Sequence, residues 1–138
     1  MILDRAITKK IEQHLYNHQA EREELAAKEN EIASRICAKM DPTGVRSRNN
    51  TDITALKVAE IEKETGELGK WVKVVQKTWD TFRGTPQGQL MAMLYTERLH
   101  PLKIQSALYI SSATFYMWKT EIIYYAALQA SAAGLISV

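Results

Sequence analysis

His14 and His18 stand four residues apart in a run with helical apolar spacing, which places two imidazoles on one helix face and can chelate zinc. A complete site needs further ligands, and Glu21 is the one near neighbour on that face. Cys37 is the single cysteine and His100 the only other histidine. The pair therefore reads first as part of a helix–helix seam that protonation would loosen, with zinc as the weaker alternative. Two acidic clusters, Glu21/Glu23/Glu24 and Glu60/Glu62/Glu64, alternate with basic residues as solvated helix faces do. Nothing in the chain brings an activated partner to either of them for acid–base work. Gly84-Thr85-Pro86-Gln87-Gly88 lacks the lysine and the preceding strand of a phosphate-binding loop. The expectation is a protein that is not an enzyme and needs no cofactor and no metal.

The elements that carry these residues are helical. Leu3, Ile7, Ile11, Leu15, His18, Leu25, Ile32, Ile36 and Met40 recur at spacings of three, four or seven. They predict one long helix, ~55 Å if unbroken, interrupted only around Glu21–Glu24. Asp41-Pro42-Thr43-Gly44 stops it, and a polar loop with Arg46 and Arg48 follows. A second helix starts at Thr51 or Asp52 and carries Ile53, Leu56, Ile61, Leu68, Trp71, Val72, Val75, Trp79 and Phe82. Trp71, Trp79 and Phe82 read as core, not as a platform for bases. Gly66 and Gly69 mark either a kink or a close helix approach. Two long helices with narrow apolar stripes need each other, so residues 1–83 are expected to form an antiparallel, coiled-coil-like hairpin whose leftover apolar surface joins copies.

Thr85 and Pro86 open a third helix with Leu90, Met91, Leu94 and Tyr95. Pro101 opens a short fourth one, and Ser111 or Ser112 caps a last helix that stops at Gly134. The fold class is thus all-α, a helical hairpin over 1–83 followed by a small helix-turn-helix domain over 84–138. Leu102–Lys119 carries that unit. Ile104, Leu108, Ile110, Phe115 and Trp118 are the apolar contacts that hold two helices at a wide angle across a tight turn.

The run Ile104-x-x-x-Leu108-x-Ile110-Ser111-x-x-Thr114-Phe115-Tyr116-x-Trp118-Lys119, preceded by Leu94-Tyr95, resembles the phage late-gene transcriptional regulators of the RinA/ArpU type. These are related in this region to sigma-factor region 4, and the match spans about residues 88–136. Gln105 stands where such units carry a small alanine, Tyr109 at the usual turn glycine, and Ser112 and Met117 where many relatives are basic. Tyr109 therefore needs either a different backbone angle or a left-handed one. The resemblance implies a DNA-binding regulator encoded by a phage or prophage, reading duplex DNA with the helix around 112–123. It turns Ser112, Ala113, Tyr116 and Thr120 outward. Ser112 and Tyr116 would donate to phosphates or base edges, and Ala113 would pack on a thymine methyl. Ser111, Lys103 and Lys119 complete the expected contact set, with His100 and Arg98 as further phosphate candidates.

Charge qualifies this reading. The formal net charge is +2, with seven basic against eight acidic residues in 1–41, eight against six in 42–83 and three against two in 84–138. Phosphate neutralisation supplies most non-specific affinity for DNA, so several copies must combine. Two alternatives stay open: an assembly protein like the phage small terminase subunits, and a sigma-like adaptor meeting RNA polymerase. No apolar run reaches the ~20 residues that cross a bilayer, the first residues show no signal peptide, and Cys37 reads as a buried thiol. The expected location is the cytoplasm of a bacterial host.

Overall fold

The computed structural model describes residues 3–39 and 50–137, without the side chains of 36–39, 50–57 and 60. The proline–glycine stop at 41–44, the arginines of the following loop and the Cys37 thiol lie outside what is described. Among the described residues six α-helices follow one another: α1 (Arg5–Tyr16), α2 (His18–Lys39), α3 (Asn50–Phe82), α4 (Pro86–Met91), α5 (Pro101–Leu108) and α6 (Ser112–Ala132). A π-helical turn, Ala92–Thr96, extends α4. The fold is all-α, with no strand among the described residues. No helix among them is long and apolar enough to cross a membrane.

Two compact units result, Met1–His18 with Lys70–Val138, and Gln19–Gly69. This grouping differs from a boundary at 83/84, because α1 packs on α6 and on the π turn. The expected first long helix is broken at Asn17, before the charged stretch. Asn17 leaves helical geometry at φ −95° and ψ 10°, and its amide still bonds Gln13 O. Asparagine competes with the helix through its own side chain. The Arg98 guanidinium lies 3.5 Å from the Tyr16 carbonyl at that end and 5.6 Å from the Tyr16 ring centre. α3 breaks as well, at Gly66, with φ 46° and ψ −122°. That region is open essentially to glycine alone, so the kink reading holds at Gly66.

In the larger unit the core gathers Ile11 and Leu15 of α1, Trp71, Val74 and Val75 of α3, and Leu90, Met91, Leu94 and Tyr95 around α4. Ile104, Phe115, Ile122, Ile123, Ala126, Ala127 and Ala130 complete it from α5 and α6. Trp79 and Phe82 pack against its margin. Each fully buried Leu, Ile or Phe contributes about 1.5–3 kcal/mol, so α1 supplies this unit with an essential face. The turn residues act as their chemistry requires. Thr85 Oγ1 accepts from Gly88 N at 3.1 Å to cap α4, with Pro86 at the first helical position. Gly134, at φ 77°, ends α6, and Leu135 N bonds Ala130 O at 2.9 Å. The π turn spends an extra residue that leaves both Leu94 and Tyr95 facing inward.

In the smaller unit Ile32 is buried and Arg35 pairs with Glu64. Thr65 Oγ1 donates to Ile61 O at 2.6 Å. A Cβ added at Gly69 would meet Thr65 Oγ1 of its own helix at 3.2 Å, and Leu25 Cδ1 only at an ordinary contact distance of 3.9 Å, so no close helix approach requires this glycine.

Candidate nucleic-acid interface

α5 begins at His100, whose Nδ1 accepts from Leu102 N at 3.1 Å, and Pro101 takes the first helical position. It ends at Tyr109, which adopts the left-handed conformation at φ 55° and ψ 46°. Ile110 N then reaches back to Gln105 O at 3.0 Å, closing the carbonyl end of the helix. Tyrosine thus occupies the glycine place of such a cap. Its side chain meets almost nothing, being 95% exposed. Ser111 caps α6 by accepting from Thr114 N at 3.1 Å, and its hydroxyl also lies 3.0 Å from Thr114 Oγ1. Only Tyr109, Ile110 and Ser111 join the two helices. Ile104 and Phe115 are sealed in the core beneath the joint, while Leu108, Ile110 and Trp118 pack at its edge.

The outer side of α6 is a ridge. Ser112, Ala113, Tyr116, Met117 and Thr120 are all exposed, and Phe115 and Ile122 on the opposite side are buried. Tyr116 stands edge-on to Phe115, ring centres 5.1 Å apart, which fixes the ring at the surface. Thr120 Oγ1 donates to Tyr116 O at 2.8 Å, so its proton stays in its own helix.

The cations divide. Lys103 is exposed on α5 and makes no ion pair among the described residues. Lys119 is half-buried, and its Nζ lies 3.1 Å from Glu12 Oε1 of α1. It fastens α1 to α6, a role the local sequence around it does not suggest. Arg98 is held against Tyr16, in a positive-φ conformation of 54°. His100 is committed to its cap through Nδ1. Lys103 is therefore the described basic residue of the expected set that is left for a phosphate.

The other imidazoles serve packing. His14 stacks on Trp71 with ring centres 4.0 Å apart and planes 9° apart, and His18 Nε2 lies 3.4 Å from Gln76 Oε1. Among the described residues no three of His, Cys, Asp and Glu come together as metal ligands. Three large apolar or aromatic side chains are exposed around the joint: Leu102, Tyr109 and Met117 show 68%, 95% and 54% of their area.

The family described as "Protein of unknown function (DUF1492)" matches residues 32–127, more than two thirds of the chain. The chain belongs to that family. No curated protein matches the sequence, and no solved structure does. The DUF1492 match contains α3 to α5 and most of α6, hence the whole α5–α6 joint.

Proposed function

We propose that this DUF1492 protein is a sequence-specific DNA-binding transcriptional regulator of the RinA/ArpU kind, encoded by a phage or prophage. Residues 84–138 contain its helix-turn-helix, and α6 is the recognition helix. One observation carries the reading: Ser112, Ala113 and Tyr116 form an outward ridge beside a three-residue joint, while Phe115 of the same turn is locked inside. Ser112 and Tyr116 supply hydroxyls for base edges or phosphates, Ala113 a methyl contact, and Lys103 a charge. Ser111 contributes by setting the start of the helix. Because one copy offers so little charge, two or more copies act together, joined through the N-terminal helices.

The test is a gel shift of duplex fragments from around the protein's own gene. Tyr116→Ala and Ser112→Glu should each weaken specific binding by roughly 5- to 150-fold, the range of one good base contact. Absence of any shift with the unaltered protein, or equal binding by the variants, would sink the proposal. A second reading rests on Leu102, Tyr109 and Met117, large apolar groups on a weakly charged surface. They suit a protein partner, and a sigma-like adaptor on RNA polymerase would capture polymerase without DNA. A small-terminase-like packaging role would instead require rings of many copies.

A further inference from the structure

A shallow groove of about 250 Å³ runs between α3 and the end of α6, lined by Lys70, Lys73, Val74 and Lys77 on one side and Gln129 and Ala132 on the other. Thr81 Oγ1 donates to Tyr125 Oη at 2.7 Å, so the two helices run antiparallel here and the groove continues that seam. The lysines fall at i, i+3 and i+7, a stripe about 10 Å long on one helix face. They lie beside the buried line Trp71, Val74, Val75 and Thr78. All three are exposed, and among the described residues no carboxylate pairs with any of them. No acidic residue occurs within 70–79.

Two features argue against a duplex as the occupant. Val74 and Ala132 give the floor methyl groups, which suit side-chain carbon better than phosphate. Gln129 lies seventeen residues along α6 from Ser112, about 25 Å, so the groove is at the end of α6 remote from the ridge. A helix with an alternating acidic and small-residue face meets both requirements, and the chain contains one. Ala20, Glu23, Ala27 and Glu31 of α2 fall at i, i+3, i+7 and i+11, one stripe of the helix, and are all exposed. Ile32 of that helix is buried, and Leu25 beside it is half-buried. Residues 19–31 hold five carboxylates against two bases.

We infer that the lysine groove of one copy receives the acidic face of α2 from a second copy, Glu23 and Glu31 meeting Lys70, Lys73 and Lys77 while Ala27 rests on Val74. The contact joins two different patches, so each copy carries one groove and one acidic face for its neighbours. It does not depend on DNA recognition.

The experiment is light scattering and sedimentation equilibrium of the full chain without DNA, over a range of concentration and salt. The unaltered protein should show masses in multiples of 15.7 kDa that fall as salt rises. Reversing the groove (Lys70→Glu, Lys73→Glu, Lys77→Glu) or the helix (Glu23→Lys, Glu31→Lys) should lower association at least about tenfold. Mixing the two variants should restore it, because each then carries the complement of the other. Circular dichroism checks that both fold, and the milder Lys73→Gln, Lys77→Gln pair carries the test if a reversal unfolds the chain. A protein that stays monomeric at 100 µM in low salt overturns the inference. So do reversals that leave the mass unchanged, and a mixture that fails to reassociate. A monomer that instead binds a polyglutamate peptide or duplex DNA through these lysines would assign the groove to that partner.

Discussion

Tyr95 shows how single side chains are committed to the interior. Its ring is 2% exposed and packs edge-on to Tyr16, with centres 4.8 Å apart, but its hydroxyl has no hydrogen-bond partner among the described residues. Burial first, then the nearby Glu12 carboxylate, pushes its ionisation well above the ordinary tyrosine range. In the unfolded chain Tyr95 loses its proton near pH 10, whereas the folded chain keeps it. The native state thus binds more protons above that point, and stability falls as pH rises past about 10. Below it the contribution is constant. Tyr95→Phe removes both this loss and an unsatisfied buried oxygen, so urea unfolding at pH 7 should show it unchanged or up to about 1–2 kcal/mol more stable. Its stability should also decline less between pH 9.5 and 11. A variant with the same alkaline decline as the parent would show that Tyr95 is not the group responsible.

Among the elements, the α5–α6 joint is the part with a built-in conflict. Tyr109 holds a left-handed angle that costs a non-glycine residue about 1–2 kcal/mol, and its exposed ring contributes little packing in return. Tyr109→Gly should raise stability by about 0.5–1 kcal/mol after glycine's entropy cost, seen as a higher midpoint in thermal or urea unfolding. If the ring serves a partner, the same change weakens binding while the fold gains. The sequence makes this element legible because its punctuation is local. Thr85-Pro86, Pro101, Ser111 and Gly134 each mark a boundary that their own geometry enforces, whereas the unusual angle at Tyr109 is implied only by the resemblance, which sets it at a turn glycine. Asn17 is harder to read, since the apolar spacing from Leu15 to His18 keeps its helical period across the break. Lys119 is harder still. Its partner Glu12 is supplied by folding, and no local pattern records an ion pair across that length of chain.

At the scale of the whole molecule, the DNA-binding reading requires affinity assembled from small charges. Each neutralised phosphate contributes a slope of about −0.9 in log K against log salt, and Lys103 is the unpaired cation of the α5–α6 surface described above. On the DNA-binding reading, Lys103→Gln should reduce that slope by about one for each copy bound, with sequence preference intact. A slope that does not change would remove Lys103 from the interface. The charge segments show how weakly basic the chain is, but not the lysine stripe on α3. Lys70, Lys73 and Lys77 look like ordinary solvated positions until α6 is set beside them.

The docking of α1 on α6 also sets an order of events during synthesis. Ile11 and Leu15 leave the ribosome long before Ile122 and Ala126 exist, and at ~5–20 residues per second the interval is several seconds or more. Throughout it, the first helix of the nascent chain displays an oily face that has no mate. A pause in translation before residue 112 lengthens that interval, since α6 supplies the surface that covers α1.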